Sequence, residues 1–112
     1  MKKICVFVCA ATFSMGCLAG GGDGNWQPSV SPDQCYTYAG KGVSFFWNPS
    51  QKCQEVIDKG YAKGVQLKVE YARNDLSNFF LEGRVAPGQA WINAYTAQDD
   101  IRTVYPRGQW LK

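Results

Sequence analysis

The residues able to do chemistry in this chain are few, and their types narrow the choice. Five cysteines occur: Cys5, Cys9 and Cys17 near the start, then Cys35 and Cys53. There is no histidine, so the commonest general base is absent and neither a Ser-His-Asp nor a Cys-His pair can be assembled. Carboxylates are what remains. Asp99 and Asp100 are adjacent in a loop, and Glu70 and Glu82 fall on strands where they could share a face, the minimum for paired-carboxylate hydrolysis. A domain this small has little room for a cleft around them, so they read as solvated charges. We expect no catalysis, no metal site and no cofactor. Gly21-Gly22-Asp23-Gly24 is too short for a stacked calcium repeat and lacks the strand and helix of a phosphate loop.

The cysteines make sense once the N-terminus is considered. Met1-Lys2-Lys3 precedes an uncharged, mostly apolar run from Ile4 to Phe13, followed by Ser14-Met15-Gly16-Cys17-Leu18-Ala19. A short basic region, a brief apolar segment and a small-residue exit define an export signal over residues 1–19. The apolar run is far shorter than the roughly 20 residues needed to span a bilayer. Gly16-Cys17 resembles the bacterial lipobox, with Ser14 where that pattern carries leucine. This resemblance implies lipidation at Cys17 and membrane attachment in the outer membrane or periplasm. The alternative is cleavage after Ala19 and free secretion. Residues 20–33 read as a flexible Gly/Pro-containing tether and 34–112 as a single domain.

Either route leaves two cysteines, Cys35 and Cys53, and an even pair in a small exported domain implies a disulfide. Loss of Lys2 and Lys3 leaves ten basic against nine acidic residues, too balanced for a nucleic-acid surface.

The elements that position these groups follow from periodicity. Cys35–Tyr38 and Val43–Trp47 flank a glycine turn and read as a hairpin. Asn48-Pro49-Ser50-Gln51 reads as a helix start, with Asn48 as the cap and Pro49 in the first turn. Cys53, Val56, Ile57, Gly60 and Tyr61 then share one helical face, with Gly64 as the stop. The period switches to two from Val65 to Tyr71. Phe79–Val85, Ala90–Tyr95 and Ile101–Tyr105 complete the strands, the last ended by Pro106. This predicts an α+β fold: one disulfide-pinned helix on an antiparallel, meandering sheet of about five to six strands, cystatin-like or OB-like. If Ala90, Ile92 and Ala94 face the core, then Trp91, Asn93 and Tyr95 face out beside Phe80. Those four make the expected binding face, since aromatics among polar groups suit a protein hot spot or sugar stacking.

The helix-strand segment from Cys53 to Tyr71, with Tyr-Ala-Lys-Gly leading into Val-Gln-Leu-Lys-Val-Glu-Tyr, resembles part of the B subunits of bacterial AB5 toxins. Those are OB-fold pentamers that bind glycans. The resemblance covers under a fifth of the chain, which has more strands after the helix than that family, and no site carries over. The sequence therefore describes a small exported, lipid-anchored cell-envelope protein acting as a non-catalytic binding module, for a protein partner in the envelope or outside the cell, as an inhibitor or as an envelope-assembly component. The alternative is a freely secreted glycan-binding subunit of a toxin or adhesin.

Overall fold

The computed structural model describes residues 25–93 and 98–112. The export signal expected over residues 1–19, Cys17 within it, and Tyr95 lie outside the described residues. A 3-10 turn (Pro32–Gln34) leads into β1 (Tyr36–Ala39), β2 (Ser44–Trp47), α1 (Gln51–Asp58), β3 (Gly64–Arg73), β4 (Asn78–Val85), β5 (Ala90–Ile92), a second 3-10 turn (Gln98–Asp100) and β6 (Ile101–Leu111). The fold class is the expected one, a single helix on antiparallel strands, braced by the Cys35–Cys53 disulfide.

The strands form two three-stranded sheets rather than one meander, in the orders β1-β2-β5 and β4-β3-β6. The hairpins β1-β2 and β3-β4 are local, as short connections require. β5 leaves β4 through the Pro87-Gly88 turn and pairs with β2, and β6 returns to pair along the other edge of β3. β3 explains the split. Val65, Leu67, Val69 and Tyr71 are completely buried on one side, so a second layer must cover them. Phe45, Trp47 and Tyr36 from β1 and β2 supply it, with Val85 and Ile101 closing the core.

Local corrections have physical causes. The helix cap is Ser50, whose Oγ accepts from the Cys53 amide at 3.3 Å, rather than Asn48. The Asn48 side chain donates instead to the Gln34 carbonyl at 2.9 Å, fastening the end of β2 to the first 3-10 turn. The helix stops at Asp58 rather than near Gly64, because Gly60 takes a left-handed φ of 70° just after it. Pro106 does not end β6. It lies within an edge strand, and two residues on the Gly108 amide points off that edge to Asp33 Oδ1 at 2.7 Å. Alternation puts the Pro106 nitrogen on the same outer side, where its missing N–H breaks no bond to β3. The tether, expected to run to residue 33, is fixed on the body well before that. Trp26 meets Tyr61 edge-on at 5.7 Å, and Tyr61 meets Trp110 at 6.3 Å.

Asp33 also accepts from the Tyr36 hydroxyl at 2.8 Å. Burial, then that bond and the nearby carboxylate charge, push the Tyr36 hydroxyl far above its ordinary pKa. Burial raises Tyr71 as well, partly offset by the bond it accepts from Asn93. Above about pH 10 unfolded tyrosines lose protons that the folded ones keep, so the unfolded state binds fewer protons and stability falls as pH rises. Urea midpoints should therefore drop steadily above about pH 10, and Tyr36→Phe should flatten that slope. An unchanged slope in the variant would show that the Tyr36 hydroxyl does not drive it.

Candidate functional site

β3 exposes one side of its sheet while burying the other. Gln66, Lys68 and Glu70 point outward along it, flanked by Phe80, Glu82 and Arg84 of β4 and by Tyr105, Arg107 and Gln109 of β6. Cross-strand register fixes the rows. Phe80, Glu70 and Tyr105 form one, Glu82, Lys68 and Arg107 the next, and Arg84, Gln66 and Gln109 the third. Strand alternation alone builds this face, since every second residue of three neighbouring strands must share it.

Two large aromatics stand open here: Phe80 is 57 % exposed and Tyr105 55 %. At about 4.8 Å per strand they lie roughly 10 Å apart, with Glu70 between them. Asn78 Nδ2 donates to Glu70 Oε2 at 2.7 Å and holds that carboxylate in place. The Lys68 ammonium lies 5.5 Å from the Phe80 ring centroid, a cation–π contact of modest strength at an exposed site. Beside the aromatic row, Gln66, Leu67, Lys68, Glu82, Arg107 and Gln109 line an open depression of about 350 Å³. Its charged groups run Glu82, Lys68, Arg107 across the three strands, one carboxylate beside two neighbouring cations, so the depression carries a net positive charge that suits contact with acidic groups. Among the described residues no three His, Cys, Asp or Glu side chains converge as metal ligands would.

Of the four residues expected to form one binding face, the three described ones, Phe80, Trp91 and Asn93, do not meet. Phe80 is on this face. Trp91 turns inward, because β5 pairs with β2 and sets Trp91 opposite the buried Phe45, where the rings stack at 5.3 Å. Asn93 is only 4 % exposed. Its Nδ2 donates to the Tyr71 hydroxyl at 3.0 Å, which in turn donates to the Gly42 carbonyl at 2.8 Å. That chain is a structural clamp between β3, the β1-β2 turn and the end of β5. Tyr95 lies outside the described residues. The outward residues of β5 are instead Ala90 and Ile92, the latter 60 % exposed next to the outer face that carries Phe46.

Sequence reasoning missed Tyr105, Arg107 and Gln109 as one face, since Pro106 was read as the end of the strand. The signal that could have found them is the period of two that sets Arg107 and Gln109 between Pro106, Gly108 and Trp110, continuing past the proline.

Comparison with known proteins agrees with this architecture. The solution structure of dispersin from enteroaggregative Escherichia coli superposes with a TM-score of 0.62 at 20 % identity, covering 80 % of this chain and 96 % of that one. The likeness shows a common fold, where the sequence had left cystatin-like and OB-like sheets open. A family model described as Dispersin matches residues 21–102, well over half the chain. This chain therefore belongs to the dispersin family.

Proposed function

We propose that this chain acts outside the cell as a non-catalytic binding module whose contact surface is the outer face of the β4-β3-β6 sheet. The observation that carries this reading is the exposed pair Phe80 and Tyr105, set in one row around the fixed carboxylate of Glu70. Rigid aromatics on a flat, polar-rimmed sheet gain contact area at little entropic cost, as protein hot spots do. A protein partner is the primary reading. The aromatic spacing of about 10 Å across the sheet favours a glycan as the second, since two stacked sugar rings fit that separation. Glu70 and Glu82 serve as surface recognition groups, without a cleft that would exclude water from a reacting bond.

Membership of the dispersin family supports cleavage after Ala19 and release of the chain. The lipid-anchored form, with acyl groups on Cys17, is the competing product. Intact mass of the exported protein separates them: a chain beginning at Gly20 favours the secreted form, and an acylated Cys17 the anchored one.

A Phe80→Ala/Tyr105→Ala variant tests the surface itself. Both side chains are exposed, so the variant should keep its disulfide and circular dichroism. Retention on intact cells of the producing bacterium, and signal on an array of bacterial and host glycans, should fall at least tenfold. Unchanged retention and unchanged array signal would remove this face as the contact surface.

A further inference from the structure

The two long edges of the β4-β3-β6 sheet are treated differently. β6 carries Pro106 within the strand, and Asp33 occupies the Gly108 amide on its outer side. Both are devices that block addition of another strand. β4 is eight residues long, contains no proline, and has no strand on its other side among the described residues.

The register shows which groups that edge presents. The Arg73 amide donates to the Ser77 carbonyl at 2.8 Å, so 73 and 77 form a hydrogen-bonded pair next to the hairpin turn. Hydrogen-bonded pairs then recur at every second position, placing Phe79, Leu81, Gly83 and Val85 toward β3. The backbone N–H and C=O groups of Asn78, Phe80, Glu82 and Arg84 therefore point off the free edge, and the side chains of all four are exposed.

We propose that this edge pairs with the same edge of a second copy of the chain, antiparallel about a two-fold axis at Gly83. A two-fold requires each contact to occur twice. Of the registers that align outward-pointing backbone groups, centring on Glu82 sets that carboxylate against its own copy, which is repulsive. Centring on Leu81 sets Glu82 against Phe80 of the other copy. Centring on Gly83 sets Glu82 opposite Arg84 and Arg84 opposite Glu82, two opposite-charge pairs from a sequence separation of two. Gly83 meets Gly83 at the axis, where neither residue adds bulk. The product is a continuous six-stranded sheet whose outer face carries both copies of the Phe80–Tyr105 row. Dimerisation would thus make the proposed contact surface bivalent, although the pairing argument stands independently of what that surface binds.

Sedimentation velocity of the exported chain across about 10 μM to 1 mM is the test, a range suited to weak association. The wild type should show concentration-dependent dimer. Glu82→Arg and Arg84→Glu, each creating two like-charge contacts, should each weaken it at least about tenfold. The double variant Glu82→Arg/Arg84→Glu should restore it, since the swap regenerates both pairs. Glu82→Pro should abolish it, because that N–H points off the edge and not toward β3. Should the proline variant fail to fold, the charge cycle decides alone. A wild type that stays monomeric throughout overturns the proposal. So does a dimer that both single reversals leave intact, or one lost instead with Ile92→Asp on the opposite outer face.

Discussion

Removing the Cys35–Cys53 disulfide will lower the stability of this domain by about 3 kcal/mol, the value expected from closing a loop of this length. The two residues are 18 apart in sequence and both are fully buried. The bond joins the start of β1 to the first turns of α1, and α1 needs it. The helix has only eight residues, below the roughly 12–15 at which isolated helices become marginal in water. Only Cys53 and Val56 are fully buried within it, so little packing compensates. Small domains have net stabilities of about 5–15 kcal/mol, which makes one such crosslink a large share. Thermal unfolding of a Cys35→Ala/Cys53→Ala variant should show a midpoint lower by roughly 12–24 °C, at 4–8 °C per kcal/mol for a domain of this size. Helical ellipticity should melt ahead of the strand signal in that variant. Serine replacements should fare worse than alanine, since they leave hydroxyls in an apolar site. A midpoint within a few degrees of wild type would mean that sheet packing alone holds the helix.

That disulfide was legible from cysteine arithmetic, because removal of the expected export signal leaves only Cys35 and Cys53 to pair. β3 was equally legible, since Val65, Leu67, Val69 and Tyr71 alternate with polar residues and only one period fits. What could not be read was pairing across long separations. β5 bonds to β2, more than forty residues earlier in sequence, and β6 to the far edge of β3, and neither partner is written in local composition. Pro106 misled for a definite reason: proline ends a central strand, but at an edge its missing N–H costs nothing, and edge position is a tertiary property. The face of Ala90–Tyr95 was ambiguous because alternation says that two sets oppose each other without saying which is buried. Phe80 was placed correctly and Trp91 was not, although both are aromatics on adjacent strands. The difference lies in what each meets across the sheets.

Gly83→Ala should reveal what Trp91 meets, and it should cost about 2–3 kcal/mol, as overpacking of a filled core does. Gly83 lies opposite Leu67 in the β3-β4 ladder, on the inward side. A methyl group built there would land inside the indole of Trp91. The indole has nowhere obvious to retreat, since Phe45 stacks on it at 5.3 Å and is itself fully buried. Without this contact the substitution should help, because glycine in a strand is less stable than alanine by roughly 0.5–1 kcal/mol. The sign therefore reports the packing. Trp91→Ala alone should cost about 3–5 kcal/mol through the lost core volume. In that background Gly83→Ala should become neutral or favourable, a coupling of at least 2 kcal/mol, near the top of the range for residues in contact. Urea unfolding of the four proteins measures the cycle. Equal cost in both backgrounds would show that Gly83 is required for some other reason, and would loosen the assignment of Trp91 to the core. The prediction bears on function because the missing side chain lets the two sheets close on Trp91. That half-buries against the core an aromatic the sequence alone would have assigned to the surface, and it leaves Phe80 and Tyr105 as the pair presented on the β4-β3-β6 face.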